Sequence, residues 1–157
     1  FSDRYDNISH MLATNKRAYF DYEILETLEA GLVLSGQEVK SIKLGHASLK
    51  GAYVTFRGQE ANITNMDISR YKPAGALPDY EQTKTRKILL HKRQIAYLRD
   101  KSLEKGLTII PLEVYTKNHL IKVKIGLGRG KKQYDKRETI KKRDIQKEIR
   151  RTLKTKN

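Results

Sequence analysis

Residues 120–127, Leu-Ile-Lys-Val-Lys-Ile-Gly-Leu, constrain the fold more than any other stretch of this chain. Val123, Ile125 and Leu127 alternate with Lys122, Lys124 and Gly126, and a period of two belongs to a β-strand. One face of such a strand is built for a core, and the other offers lysines to solvent or to phosphate. The apolar run Leu-Thr-Ile-Ile-Pro-Leu-Glu-Val-Tyr precedes it, with a turn about Lys117-Asn118, so the two segments read as a hairpin.

Upstream, Tyr-Phe-Asp-Tyr-Glu-Ile-Leu-Glu-Thr-Leu-Glu-Ala-Gly-Leu-Val-Leu alternates in part and predicts two short strands, about 22–28 and 31–34. Ser35 is a helix cap type, Val39 and Ile42 lie three apart, and Gly45 is a stop, which predicts a short helix. Residues 52–66 outline a second hairpin turning near Gly58-Gln59. Pro73 and Pro78 mark a long loop, and a helix is expected over residues 90–105, with His91, Ile95, Leu98 and Ser102 on one face and Gly106 as its stop. Residues 1–14 show no periodicity and read as a disordered lead-in, with Ser9-His10-Met11 open to being read as a cloning scar. The expected fold is mainly β with flanking helices. An OB-like antiparallel barrel of about six strands over residues 15–128 would remove most free sheet edges, and a basic tail, disordered when free, would follow over 129–157.

Charge narrows the partners. The net formal charge is +15, and residues 129–157 hold 13 Lys and Arg against 4 Asp and Glu, while the first 128 hold 20 against 14. A basic arm on a folded body predicts polyanionic partners, because neutralised phosphates release counterions. No stretch has the apolar length of a membrane span, and cysteine is absent, which excludes disulfides, thiolate metal sites and cysteine nucleophiles. The glycine run 126–130 fails as a nucleotide loop: a Walker-type loop needs glycine at 125 and Ser or Thr at 132, where Ile125 and Lys132 stand. A dinucleotide fingerprint from Gly126 needs glycine at 131, where there is lysine. His10, His46, His91 and His119 share no metal-ligand spacing. The motifs give no support for an enzyme, and no cofactor or metal is expected.

Three features remain. Residues 84–93, Lys-Thr-Arg-Lys-Ile-Leu-Leu-His-Lys-Arg, carry five cations and no acid, and fit both a solvated helix start and a phosphate-contacting surface. Glu29 and Glu38 are isolated acids that fit either a lysine partner or an acceptor for base edges and ribose hydroxyls. In the tail, Asp135 and Glu138 have capping-box spacing, while Ile145, Ile149 and Leu153 form a single stripe, too little to hold a helix in water. The tail is therefore expected to fold on meeting phosphates, and Tyr134, between Lys131-Lys132 and Lys136-Arg137, fits both stacking on a base and packing on the barrel.

Four segments in order, Asn-Lys-Arg-Ala-Tyr-Phe through Glu-Val-Lys-Ser at 15–41, Thr-Arg-Lys-Ile-Leu-Leu-His-Lys-Arg at 85–93, Glu-Lys-Gly-Leu-Thr-Ile-Ile-Pro-Leu-Glu-Val-Tyr at 104–115 and Gly-Lys-Lys-Gln-Tyr-Asp-Lys-Arg at 130–137, resemble the small protein B family of tmRNA- or SsrA-binding proteins. The resemblance runs over about residues 15–151. It implies a non-enzymatic, cytoplasmic bacterial protein, monomeric and without a membrane, acting in trans-translation beside elongation factor Tu. By that resemblance the barrel holds the elbow and D-arm region of the tRNA-like domain of tmRNA, filling the space of an anticodon stem. Its candidate RNA contacts are Asn15, Lys16 and Arg17, Glu29 at an expected Glu-Ala-Gly turn, Glu38, Lys40, Ser41 and Lys43. Arg86, Lys87, Leu89, His91, Lys92 and Arg93 follow, with Lys122 and Lys124. The tail, with Gly130, Lys131, Lys132, Tyr134, Asp135, Lys136, Arg137, Lys141, Lys142 and Arg143, is implied to enter the ribosomal decoding centre and empty mRNA channel. Where family members often have Asn-Gly at the last hairpin turn, this chain has Asn118-His119. The alternative is a generic ribosomal or chaperone-type RNA-binding protein with a basic tail.

Overall fold

The expected hairpin is the structural centre. The computed structural model describes residues 10–155, excepting the side chains of Tyr134 and Thr155. In it β8 (Leu107–Lys117) and β9 (Leu120–Gly130) pair along their whole length, numbering strands in chain order. Asn118 and His119 form the turn with φ of 51° and 64°, the left-handed pair that a two-residue hairpin needs and that histidine enters at some steric cost. Val123, Ile125 and Leu127 face the core as the period of two requires.

Around this hairpin lie β1 (His10–Thr14), β2 (Tyr22–Leu32), β4 (Tyr53–Arg57), β5 (Glu60–Thr64) and β7 (Arg86–Leu89). The sheet runs β1-β8-β9-β2-β7-β5-β4 and every pairing is antiparallel. It curls until β4 packs on β8, giving an OB-like, incompletely closed barrel. A separate ribbon pairs β3 (Ala47–Ser48) with β6 (Asp67–Ile68). Ile63, Ile88, Ile109, Val114, Val123 and Ile125 fill the barrel, and α3 (Lys92–Ser102) plugs it with Ile95 and Leu98. Short helices α1 (Lys16–Asp21) and α2 (Gly36–Lys43) flank it. The capping box of α2 is complete: Ser35 Oγ accepts from the Glu38 N–H at 3.3 Å, and Glu38 Oε1 accepts from the Ser35 N–H at 3.0 Å. Gly45, at φ +83°, ends that helix as expected.

Several expectations are corrected. Residues 10–14 are not a disordered lead-in but the edge strand β1, because Thr14 and its neighbours find free backbone partners on β8; residues 1–9 lie outside the described residues. The two strands expected over 22–34 are one, and Glu29 sits inside β2, not in a turn, opposite Lys124. Residues 86–89 are a central strand in place of a helix start, with α3 beginning only at Lys92. Among the described residues the barrel sheet has seven strands, close to the six expected, and β9 reaches Gly130.

The glycine run 126–130 belongs to β9. A β-carbon on Gly126 would stand 2.8 Å from Leu112 Cδ1 and 3.3 Å from Ile24 Cγ2, so the strand needs glycine for close packing. The strands that carry Ile24 and Leu112 are bulged beside this approach, at Leu25 in β2 and at Leu112 in β8. Finally the tail is a helix, α4 (Gln133–Thr155), the folded form expected of it on meeting phosphates. Its Lys, Arg, Glu and Gln are good helix formers, and α1 holds its first turns. It starts two residues before the expected cap, leaving Asp135 in the first turn, where a carboxylate favours the helix dipole.

Candidate nucleic-acid interface

An open groove of about 440 Å³ runs across β2 and the β7–α3 corner, lined by Glu29, Gly31, Leu89, Leu90, His91, Gln94 and Lys122. Ala30 is buried, so Glu29 and Gly31 occupy the outer face of β2 by alternation. Leu89 is 55% exposed and folds across Gly31, whose missing β-carbon would lie only 3.3 Å from Leu89 Cβ. His91 caps α3 from an exposed position, and its N–H donates to Gln94 Oε1 at 3.0 Å. The result is an apolar ridge beside a carboxylate and a lysine, suited to a partner with ring faces and polar edges.

Glu29 is held from β8. The Tyr115 hydroxyl donates to Glu29 Oε2, and Lys117 Nζ lies 3.4 Å from both carboxylate oxygens. The Tyr115 hydrogen bond lowers the Glu29 carboxyl below its ordinary value; partial burial opposes this, and Lys117 and Lys122 add to it. The Tyr115 phenol is raised in turn, by its own burial and by Glu29.

Four expected RNA contacts are buried and have internal partners. Asn15 caps α1: its Oδ1 accepts from the Ala18 N–H at 3.1 Å, and its amide donates to Pro111 O at 2.9 Å and Leu49 O at 3.3 Å. Ser41 is fully buried and donates to Ser69 O at 2.6 Å. Glu38 and Arg86 form a buried ion pair with Nε–Oε2 of 2.6 Å. Arg86 spends its remaining donors on Met66 O, Lys84 O, Gln82 O and the Tyr80 hydroxyl, and so fastens the 66–84 segment to the barrel. Buried polar groups must find such partners, and these four find them within the fold.

The exposed cations divide. Lys92 and Arg93 start α3 beside the groove, and Lys122 enters it. Lys87 is exposed on β7 and 3.4 Å from Glu60, while Lys124 is half-buried and 3.7 Å from Glu113. Lys16, Arg17, Lys40 and Lys43 are exposed on α1 and α2, away from the residues that line the groove. Arg17 pairs with Asp21 at 2.9 Å, and Lys40 covers the Tyr71 ring.

The tail leaves the barrel along α1. The Lys131 N–H donates to Asp21 O at 2.8 Å, and Lys131 Nζ donates to Tyr19 O at 3.3 Å and Thr139 Oγ1 at 3.0 Å. Lys136 lies 3.4 Å from Asp21 Oδ1, and the Arg143 guanidinium covers the Phe20 ring at 5.7 Å. Gly130, Lys132, Asp135, Arg137, Lys141 and Lys142 are solvent-exposed, as are Ile145, Ile149 and Leu153. The side chain of Tyr134, expected to stack or to pack, lies outside the described residues.

Gly31, Gln94, Tyr115 and Lys117 escaped the sequence reading. Glycine inside an alternating strand is the usual mark of a close approach, so Gly31 carried a usable signal; the Tyr115–Glu29 pair is 86 residues apart and carried none. Among the described residues no cluster of metal-ligating side chains occurs, and no helix is long and apolar enough to cross a membrane.

Fold and groove together define a small OB-like barrel with a cation-rich face and a basic helical arm, a class suited to polyanions. The chain is 50% identical over 146 residues to the SsrA-binding protein of Persephonella marina, covering 93% of this chain and 95% of the relative. It belongs to the SmpB protein family, which matches residues 12–155. The SsrA-binding protein of Mycoplasma mycoides is 46% identical over 137 residues, covering 87% and 93%. A chain from a solved structure concerned with tmRNA–SmpB and the bacterial ribosome is 39% identical, with a TM-score of 0.65 over 81% of this chain and 92% of that one.

Proposed function

We propose that this chain binds the tRNA-like domain of tmRNA through the groove of Glu29, Leu89, His91 and Lys122 and delivers it to stalled ribosomes in trans-translation. The observation that carries the reading is the groove itself, an apolar ridge, a carboxylate and cations on the open face of a barrel akin to SsrA-binding proteins. Lysines neutralise phosphates and position the RNA, while Leu89 and the ring of His91 offer surfaces to unstacked bases. A carboxylate on such a face repels phosphate and accepts hydrogen bonds only from base edges or ribose hydroxyls, so Glu29 contributes selectivity more than affinity. The exposed cations of α4 serve the ribosome, with the tail entering the decoding centre and empty mRNA channel. In this reading the protein acts as a monomer in a delivery complex with elongation factor Tu.

The test measures affinity for transcribed tmRNA, with bulk tRNA as competitor, across a series of salt concentrations. Lys92→Ala combined with Lys122→Ala is expected to weaken binding about tenfold or more and to make the slope of log K against log salt shallower by about one to two. An unchanged slope would show that these cations face only solvent and would reject the groove as the binding face.

A further inference from the structure

We infer that Tyr115 is a positioning residue for RNA recognition: it acts through Glu29, holding that carboxylate toward the groove, and does not itself touch the RNA. This rests on the reading of the groove as the RNA-binding face. Glu29 is a flexible side chain on the outer face of β2, with the groove beside it and β9 between it and β8. Left alone it would sample several rotamers and would be drawn toward the lysines around it. The Tyr115 hydroxyl instead takes one oxygen, and Lys117 spans both at 3.4 Å. Two restraints from neighbouring strand positions fix the plane of the carboxylate and leave its remaining lone pairs for donors in the groove. Ordering the group beforehand removes an entropic cost that binding would otherwise carry.

The surroundings support a directed role. Tyr115 is opposite Lys122 in the β8–β9 register, so one cross-strand position sets both the acid and the cation of the groove. The charged and titratable groups facing Glu29 are Tyr115 and Lys117 from β8, Lys122 and Lys124 from β9, the latter opposite Glu29 in register, and His91 at the start of α3. Lys124 is engaged with Glu113 at 3.7 Å, which leaves Tyr115 and Lys117 as the groups that bond Glu29 directly.

A double-mutant cycle on the intact chain tests this, with transcribed tmRNA as the probe. Tyr115→Phe keeps the ring and its packing and removes only the hydroxyl. It is expected to weaken tmRNA binding about two- to tenfold when Glu29 is present and to have no further effect in a Glu29→Ala background. Equal losses in both backgrounds would mean that Tyr115 touches the RNA or only supports the fold, and no loss in either would remove the role altogether. Both results overturn the inference while leaving the groove reading intact. Unaltered binding by Glu29→Ala itself would sink that reading and the inference with it. An NMR titration of the Glu29 side-chain carboxyl gives a second, RNA-free measurement. Its midpoint should rise in Tyr115→Phe, because the hydrogen bond that most lowers it is lost. A midpoint that stays in place would overturn the inference even if the affinity changed.

Discussion

At the scale of single residues, Glu38 and Arg86 show how a cationic surface motif can conceal a structural one. Burial alone would raise the Glu38 carboxyl, yet the Ser35 N–H, the Arg86 guanidinium and the Lys84 ammonium together hold it below its ordinary value. A carboxyl with a depressed folded pKa stabilises the protein above its unfolded pKa, and that contribution is lost as pH falls through the folded value. Glu38→Gln is therefore expected to lower stability by about 3–5 kcal/mol at neutral pH, because Arg86 is left buried and uncompensated. The deficit against the native chain should shrink as pH falls through the range where Glu38 gains its proton. Urea denaturation at a series of pH values measures both effects, and a pH-independent difference would contradict the pairing. Gly126 is constrained by shape instead of charge. Gly126→Ala pushes a methyl to 2.8 Å from Leu112 Cδ1, in a side chain with no exposed surface, and is expected to cost about 1–3 kcal/mol in the same assay.

Elements differ in how much of themselves they write locally. The β8–β9 hairpin was legible because alternation and turn are adjacent in sequence, and α2 because Ser35 and Gly45 mark its two ends within eleven residues. By contrast β7 has only four residues, and Arg86-Lys87-Ile88-Leu89 alternates too briefly to be told from the first turn of α3. What makes it a strand is the pairing of Ile88 with Ala61 and Leu32, neither of which is near in sequence. The site divides the same way: the cations and Glu29 could be named from composition and motif, whereas the interior roles of Asn15, Ser41, Glu38 and Arg86 depend on which surface each side chain enters. The root of α4 carries a similar long-range dependence. Asp21 pairs with Arg17 at 2.9 Å and Lys136 at 3.4 Å, so one carboxylate ties α1 to the tail. Asp21→Asn should loosen that root by about 1 kcal/mol, read as roughly fivefold faster amide exchange over residues 136–140 with the barrel amides unaffected. Unchanged exchange in α4 would show that Asp21 does not hold it.

For the whole molecule, the separation between barrel and tail is the feature with the largest functional consequence. The groove residues belong to β2, β7, the β7–α3 corner, α3 and β9, and none of those lining it belongs to α4. The tail meets α1 through Lys131, Lys136 and Arg143, and Ile145, Ile149 and Leu153 of its outer half are exposed. Its dense positive charge resists self-association and suits a path lined by phosphate, where released counterions would favour entry. Deleting residues 134–157 should therefore leave the barrel folded and its affinity for tmRNA within about threefold at moderate salt, the small loss reflecting reduced long-range attraction. The same truncation should abolish peptide tagging in a reconstituted translation reaction stalled on a message without a stop codon. Those two measurements separate the parts: tagging without the tail would remove its role on the ribosome, and loss of tmRNA binding would place essential RNA contacts on α4. If both fall together, the barrel's thermal melting decides between a damaged fold and a shared surface, because a native melting curve would require that RNA recognition extends beyond the groove.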